Sequence, residues 1–408
     1  MKIAQAAANG LTLSRGLMAP LIFISLIRQD QTSDGLTLLL TGLAIATDYL
    51  DGLIARRFAV DSRFGKIADA ATDALVFLAI FFGLSCRGVL PLWLPAVFGA
   101  REALMYLVIR PNLLRAGIDP GARTAGKVKT AMQGSAAILV IVLLSIAPDY
   151  THFVALPLIG LAAIVSIASL YWYIEPVAIR RGFDQLTLSI LSTSAVLWFL
   201  QIVIVAIYFE LNPASGLAIV IGIHTIFAIS IAGALMVRRN DFLIINGPPL
   251  KRMNLANLLT LVRLTSIPSI VFLTTSTIGQ GTPAWPVLLL LAAVLLTDLA
   301  DGALARRRAQ VTHIGSYIDS STDYLLLGTG AILLLAYGVG TGWVFAVLIG
   351  RLAIQAIAVT LVALTGGPLP VATWLGKMSI AAAMILLSGA IAAELAKPIS
   401  LEAEIFST

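Results

Sequence analysis

The stretch Asp48-Tyr-Leu-Asp51-Gly52-Leu-Ile-Ala55-Arg56, followed after eight residues by Gly65 and then by Asp69 and Asp73, places four carboxylates beside an apolar segment. The first two aspartates are three residues apart and the last two are four apart, so each pair shares one face of a helix. Four neighbouring carboxylates repel one another unless a positive charge lies among them, and their oxygen atoms suit Mg²⁺, Mn²⁺ or Ca²⁺ better than zinc. The stretch therefore predicts a site for hard cations, with Gly52 and Arg56 beside it to accommodate a diphosphate.

A second copy of this stretch lies 250 positions further along the chain. It reads Asp298-Leu-Ala-Asp301-Gly302-Ala-Leu-Ala305-Arg306 and continues at the same spacings to Gly315, Asp319 and Asp323. Both copies fit the pattern D-x-x-D-G-x-x-A-R-x8-G-x3-D-x3-D, which chance would not repeat. The sequence therefore indicates an internal duplication.

The duplication extends upstream of the acidic stretches. Asn9-Gly-Leu-Thr12-Leu-Ser-Arg15 introduces an apolar segment that contains Pro20, and Asn257-Leu-Leu-Thr260-Leu-Val-Arg263 introduces one that contains Pro268. Arg15 and Arg263 each lie near a predicted helix start, where the side chain could reach a phosphate. The alternative is an arginine whose charged end extends to the membrane interface.

Apolar residues dominate the composition. Hydrophobic residues make up 59% of the chain and charged residues 12%, and the mean hydropathy is +0.96. Apolar stretches of about 18 or more residues, the length that crosses a bilayer as a helix, recur along almost the whole chain. The sequence therefore predicts an all-α, polytopic integral membrane protein with about thirteen transmembrane helices.

The charges and the single cysteine exclude other classes. The net charge of +6 comes from basic residues that fall mainly in short connections between apolar segments, as the positive-inside rule expects, so we expect no nucleic-acid partner. Cys86 has no second cysteine with which to form an intramolecular disulfide or a metal site. The apolar segment at 11–27 lacks a small-residue cleavage site, so we expect a retained first span.

The predicted spans fall into two units. Residues 1–178 hold six, a connector at 179–240 holds two, and residues 241–408 hold about five. Because an even number of spans precedes the second unit, both units are predicted to have the same orientation, and a cytoplasmic N-terminus places both acidic stretches on the cytoplasmic side. One explanation of the connector helices is that they replace a sixth helix missing from the second unit.

The repeated pattern resembles the signature of the CDP-alcohol phosphotransferase (CDP-alcohol phosphatidyltransferase) family, integral membrane enzymes that make phospholipid headgroup linkages, and both copies are complete. The resemblance implies transfer of a phosphatidyl group from a CDP-alcohol such as CDP-diacylglycerol to an acceptor hydroxyl, with release of CMP. It also implies two Mg²⁺ or Mn²⁺ ions per site, held by Asp48, Asp51, Asp69, Asp73, Asp298, Asp301, Asp319 and Asp323. Asp73 and Asp323 would also act as general bases.

The resemblance implies substrate contacts around each acidic cluster. In the first unit these are Gly52, Ala55, Arg56, Ser62, Gly65, Arg15, Lys127 and Lys129. In the second unit they are Gly302, Ala305, Arg306, Thr312, Gly315, Arg263 and Lys377.

Two segments bear on the acceptor of the first unit. Gly99-Ala-Arg101-Glu102 resembles a segment of phosphatidylglycerophosphate synthases, and Lys127 and Lys129 resemble lysines that bind phosphorylated acceptors, which favours glycerol 3-phosphate or inositol phosphate. Against this, the segment from Asp69 to Asp73 lacks the Asp-Pro pattern of glycerophosphate members.

The second unit differs on the acceptor side. The segment from Ile318 to Asp323 is nearer to inositol-phosphate or serine members, and only Lys377 remains of the basic residues that precede the fifth span of the first unit. We therefore expect the two units to differ in acceptor.

Two rival classes remain at this stage. Intramembrane carboxylates and duplicated units also occur in transporters and ion pathways, and four carboxylates could form a structural clasp between helices. A transporter or ion pathway does not require glycine and arginine at fixed spacings from the carboxylates. A structural clasp would bury unpaired charges, which costs free energy. We therefore expect an enzyme of a bacterial cell membrane whose sites face the cytoplasm, with the tandem acting as an internal pseudo-dimer or within a homo-oligomer.

Overall fold

A computed structural model describes residues 2–28, 31–58, 63–119, 124–212, 216–245, 247–307 and 310–338, together with residues 350, 354 and 389. Side chains are described throughout these ranges except at residues 2–9, 31–32, 48–49, 51–58, 63–68, 70, 280, 299, 303, 305–306 and 334.

The described chain is helical, which confirms the predicted all-α class. The helices of the first half are α1 (Lys2–Ile27), α2 (Gln31–Phe58), α3 (Arg63–Cys86), α4 (Trp93–Leu104), α5 (Arg110–Arg115), α6 (Thr124–Ile146), α7 (Pro148–Ser169) and α8 (Tyr171–Arg180). Those of the second half are α9 (Gln185–Leu211), α10 (Leu217–Val237), α11 (Leu255–Thr265), α12 (Ile267–Gln280), α13 (Trp285–Arg307) and α14 (His313–Ala336). A π-helical turn, Met105–Ile109, joins α4 to α5.

Seven membrane-crossing segments can be assigned by length and hydropathy among the described residues: Gly10–Ile27, Thr124–Ile146, Pro148–Arg180, Gln185–Leu211, Leu217–Val237, Leu255–Gly279 and Trp285–Gly302. Helices are the expected form because a bilayer offers no water to backbone N–H and C=O groups, which a helix satisfies internally. The chain is thus a polytopic membrane protein. The total of about thirteen spans stays a prediction. The last two spans expected in the second unit, at about 342–365 and 377–395, lie outside the described residues except for residues 350, 354 and 389.

The chain divides into two compact units, Met1–Asp184 and Gln185–Thr408. In the first, α1 packs between α2 and α3, and α6 pairs with α7. A Cβ atom at Gly83 would lie 2.8 Å from the side chain of Leu26, so glycine lets α1 and α3 approach closely. This packing brings Arg15 of α1 beside the start of α3.

In the second unit, α11 packs against α13 and α14. The two helices predicted as a connector, α9 and α10, lie in this unit, where Ile190 and Leu235 join one buried cluster with Leu261. A buried polar chain adds to the packing, because Ser269 of α12 lies 2.9 Å from His224 Nε2 and donates to Gln201 Oε1 at 2.7 Å. The boundaries predicted at 178 and 240 stay a prediction.

Candidate active site

Three aspartates of the second unit converge at the junction of α13 and α14. Asp298 and Asp301 lie one turn apart near the end of α13, and Asp319 lies in the second turn of α14. One carboxylate oxygen from each of the three lies within 4.8 Å of the others. The sequence predicts a cation site at which the aspartate pairs of two helices lie together, and the structure brings these three together.

Arg263 lies among these carboxylates. Its side chain has no exposed surface, and its guanidinium forms ion pairs with Asp298 and Asp319 and lies 3.7 Å from Asp301 and 3.5 Å from Asp323. Arg263 therefore contacts all four acidic positions of the second motif. Among the described residues, four carboxylates face one guanidinium, which leaves a formal excess of three negative charges.

Thr260 fixes one member of the cluster. It lies one turn before Arg263 on α11, and its hydroxyl donates a 2.8 Å hydrogen bond to Asp301 Oδ2. The Asp301 side chain is buried, so this bond restrains a carboxylate that solvent scarcely reaches. The sequence showed Thr260 only as a repeated residue, because its contact with Asp301 depends on how α11 packs against α13.

Thr312 and Gly315 form the start of α14. Thr312 Oγ1 accepts a 3.0 Å hydrogen bond from the backbone N–H of Gly315 and donates at 3.1 Å to Asn257 Oδ1. A Cβ atom at Gly315 would lie 2.7 Å from Thr312 Oγ1 and would also overlap Asn257 Oδ1. Gly315 therefore allows α11 to pack against the first turn of α14, which positions Asp319.

A short extended segment before α11 also holds this region. The backbone N–H of Ile245 donates to Val311 O at 2.9 Å, and the N–H of His313 donates to Leu243 O at 3.1 Å. Residues 243–245 thus pair with the chain that connects the two aspartate pairs of the second motif. No sequence pattern predicts this pairing, because an isolated bridge has no periodic pattern.

The described part of the first motif repeats the arrangement of the second. Arg15 is buried, its Nη1 lies 3.1 Å from Asp69 Oδ1, and it also pairs with Asp73. Arg15 of α1 thus occupies the place relative to α3 that Arg263 occupies relative to α14. The remaining predicted site residues lie outside the described side chains: Asp48, Asp51, Gly52, Ala55, Arg56, Ser62, Gly65, Ala305, Arg306 and Lys377.

The predicted acceptor lysines differ in their surroundings. Lys127 is exposed, whereas Lys129 is buried and donates a 2.9 Å hydrogen bond to Glu102 Oε1. Arg101 donates to the same oxygen at 2.8 Å and to Ser169 Oγ at 2.9 Å. Lys129 is therefore held by α4, while Lys127 faces solvent.

The donor set fits a hard divalent cation. The converging ligand atoms are carboxylate oxygens, which Mg²⁺ and Mn²⁺ prefer, and the excess negative charge of the cluster favours cation binding. Three carboxylates within 4.8 Å of one another are close enough to share one ion or to flank two.

Comparison with known proteins gives a consistent result. A family model described as CDP-alcohol phosphatidyltransferase matches residues 5–172 and 253–408, so each unit matches it separately. No solved structure matches.

Several curated relatives are similar to part of the chain. A CMP-forming cardiolipin synthase of Streptomyces coelicolor is 41% identical over 115 residues, which are 28% of this chain and 53% of the relative. A probable phosphatidylglycerophosphate synthase of Mycobacterium tuberculosis is 33% identical over 141 residues, 34% of this chain and 66% of the relative. A CDP-diacylglycerol–glycerol-3-phosphate 3-phosphatidyltransferase of Bacillus subtilis is 32% identical over 145 residues, 33% of this chain and 75% of the relative. The chain thus spans less than two thirds of the length of the first two.

Proposed function

Because the chain belongs to the CDP-alcohol phosphatidyltransferase family, whose members generally depend on divalent metal ions, we propose that it transfers a phosphatidyl group from CDP-diacylglycerol to the hydroxyl of a small alcohol and releases CMP. The convergence of Asp298, Asp301 and Asp319 around Arg263 carries this proposal. The names of the relatives support it, since they describe cardiolipin, phosphatidylglycerophosphate and CDP-diacylglycerol chemistry.

The eight aspartates of the two motifs are the proposed metal ligands, four in each unit, and each site is proposed to take two Mg²⁺ or Mn²⁺ ions. When bound, the metal neutralises the diphosphate and makes CMP a better leaving group. The protein supplies the carboxylates, restrains them through contacts such as Thr260 with Asp301, and places them beside a buried arginine.

In the proposed reaction, Asp73 or Asp323 accepts the proton of the acceptor hydroxyl. The acceptor oxygen then forms a bond to the phosphorus that carries the lipid, and the bond from that phosphorus to the oxygen of CMP breaks. Arg15 and Arg263 are proposed to donate to phosphate oxygens, because a guanidinium presents two parallel N–H donors to such a group. CMP leaves with the electron pair of the broken bond on its phosphate oxygen, and the proton stays on Asp73 or Asp323.

The glycine and arginine contacts of each motif keep their proposed roles, and the role of Thr312 changes. Glycine at 52 and 302 allows the nucleotide close to the backbone, and Arg56 and Arg306 would meet phosphate or cytosine. The hydroxyls of Ser62 and Thr312 lie at equivalent positions of the two motifs. In the structure Thr312 caps α14, so its proposed role is to position the start of that helix.

The chain is an integral membrane protein, and we place it in a bacterial cell membrane with both sites facing the cytoplasm. The lipid substrate lies in the bilayer, and the small alcohol approaches from the aqueous side. The two units are proposed to act as an internal pseudo-dimer.

CMP release tests the proposal. Purified full-length protein in lipid nanodiscs would receive CDP-diacylglycerol and Mn²⁺ with sn-glycerol 3-phosphate, inositol phosphate, serine or no acceptor. We expect acceptor-dependent release of CMP with at least one alcohol. Release of no CMP with any acceptor, by protein that remains folded, would contradict the proposed function.

A further inference from the structure

A small cavity opens beside Asp73 and Arg15 in the first unit. It has a volume of about 50 Å³ and lies among α1, α2, α3 and α6. A water molecule needs roughly 10 to 15 Å³, so the cavity has room for about three to five water-sized groups. Its lining also includes Thr41 of α2, Ile80 of α3, and Thr130, Gly134 and Ala137 of α6.

The cavity extends from the acidic cluster into the apolar interior. Asp73 and Ile80 both line it and are two helical turns apart on α3, a rise of about 10 Å. Apart from Arg15 and Asp73, the described lining residues are apolar except for two threonines. A charged phosphate therefore does not suit the inner end, whereas an uncharged group with a hydroxyl does.

Thr41 is the unusual residue of this lining. It is buried, with 2% of its surface exposed, and its hydroxyl makes no hydrogen bond to any residue that the structure describes. Its neighbours on α2 behave differently, because Thr37 donates to Ser33 O and Thr47 donates to Ala44 O, both at 2.8 Å. A buried hydroxyl that makes no hydrogen bond to a backbone carbonyl costs free energy unless another group forms a hydrogen bond with it.

The second unit replaces the lining with larger apolar residues. At the positions 250 residues later, Thr41 and Thr130 are replaced by Leu291 and Ile380, and Gly134 and Ala137 by Met384 and Leu387. Leu291 packs against the buried cluster of Tyr208, Leu273 and Val287. Both hydroxyls and the small side chains are thus particular to the first unit.

We propose that this cavity holds the uncharged glycerol part of sn-glycerol 3-phosphate, and that Thr41 determines acceptor specificity by bonding to its secondary hydroxyl. The proposal rests on the proposed function and names the acceptor of the first unit. The hydroxyl that reacts lies at Asp73, the adjacent hydroxyl reaches Thr41, and the phosphate stays on the side of the exposed Lys127. An inositol ring brings more hydroxyls than two threonines can partner, in a cavity with room for about three to five water-sized groups.

The test compares two acceptors that differ by one hydroxyl. 3-Hydroxypropyl phosphate lacks the secondary hydroxyl of sn-glycerol 3-phosphate, and an Asp323→Asn background silences the second unit. Thr41→Val should raise KM for sn-glycerol 3-phosphate about tenfold, the worth of one hydrogen bond, and leave KM for 3-hydroxypropyl phosphate unchanged. Thr41→Ser keeps the hydroxyl and should retain the preference.

Thr37→Val is the matched control, because it removes a hydroxyl one turn away that bonds to Ser33 O and to Ser25 Oγ and does not line the cavity. It should leave the ratio of the two KM values unchanged. Equal effects of Thr41→Val on both acceptors, or CMP release without any use of sn-glycerol 3-phosphate, would overturn the inference and leave the proposed function standing. A raised KM for CDP-diacylglycerol instead would show that the cavity holds the glycerol part of the lipid, and would also overturn it.

Discussion

Lys129 donates a 2.9 Å hydrogen bond to Glu102, and both side chains are buried within the first unit. Arg101 donates to the same carboxylate oxygen at 2.8 Å, so one buried carboxylate serves two buried cations and a formal excess of one positive charge remains. At the corresponding positions of the second unit, Glu102 and Lys129 are replaced together, by Leu352 and Ser379, while Arg101 is matched by Arg351. The joint replacement indicates that the carboxylate and the ammonium act as a pair.

Glu102→Leu should therefore destabilise the protein strongly, because it leaves Arg101 and Lys129 buried without a counter-charge. Loss of one partner of a buried ion pair typically costs about 3 to 5 kcal/mol. The double variant Glu102→Leu with Lys129→Ser should recover part of that loss. Thermal unfolding in detergent measures the effect, and a double variant that is less stable by the sum of the two single changes would contradict the pairing.

Thr260→Val should weaken metal binding in the second unit, because it frees the Asp301 carboxylate to reorient. Loss of a hydrogen bond that orients a metal ligand typically lowers metal affinity about 10- to 100-fold. The readout is Mn²⁺ binding followed by electron paramagnetic resonance, with CMP release as a second measure, in an Asp73→Asn background. Thr265→Val is the control, because the Thr265 hydroxyl donates to backbone carbonyls of its own helix; an equal loss of affinity in both variants would refute the role of Thr260.

Gly315→Ala should lower both stability and activity, because the added Cβ would overlap the side chains of Asn257 and Thr312. Overpacking of this kind typically costs about 1 to 3 kcal/mol. Gly279→Ala is the matched control, since a Cβ there meets no atom within 4 Å. If both variants unfold at the same temperature as the unaltered protein, the close packing of α11 on α14 does not contribute to stability, and the prediction is wrong.

The helices and the acidic convergence follow from the sequence, and other parts of the site do not. Hydropathy predicts α1, α6 and α7 because each is long and apolar. Helical spacing predicts that Asp298 and Asp301 share one helix face and that Asp319 and Asp323 share another. That Arg263 contacts four carboxylates depends on the packing of α11 against α13 and α14. The burial of Lys129 likewise depends on α4, which is distant in sequence, so a lysine expected to bind phosphate is bonded to Glu102 in the structure.

The two units should respond differently to loss of their proposed bases. With sn-glycerol 3-phosphate, the loss of CMP release in Asp73→Asn should be about tenfold or more greater than the loss in Asp323→Asn. The reason is that the first unit has the additional basic residues and the Thr41 cavity. With serine, which carries no phosphate, Asp323→Asn should have the larger effect. Identical losses for every acceptor would contradict this difference and favour two like sites.

Metal-dependent phosphatidyl transfer at the two aspartate clusters can be measured as CMP release from CDP-diacylglycerol. The comparison is between the unaltered protein with Mn²⁺, the same protein in excess EDTA, and the double variant Asp73→Asn with Asp323→Asn. We expect release with Mn²⁺, none in EDTA, and a loss of about a hundredfold or more in the double variant, as removal of a general base entails. CMP release that persists unchanged in EDTA, or in the folded double variant, would contradict this expectation.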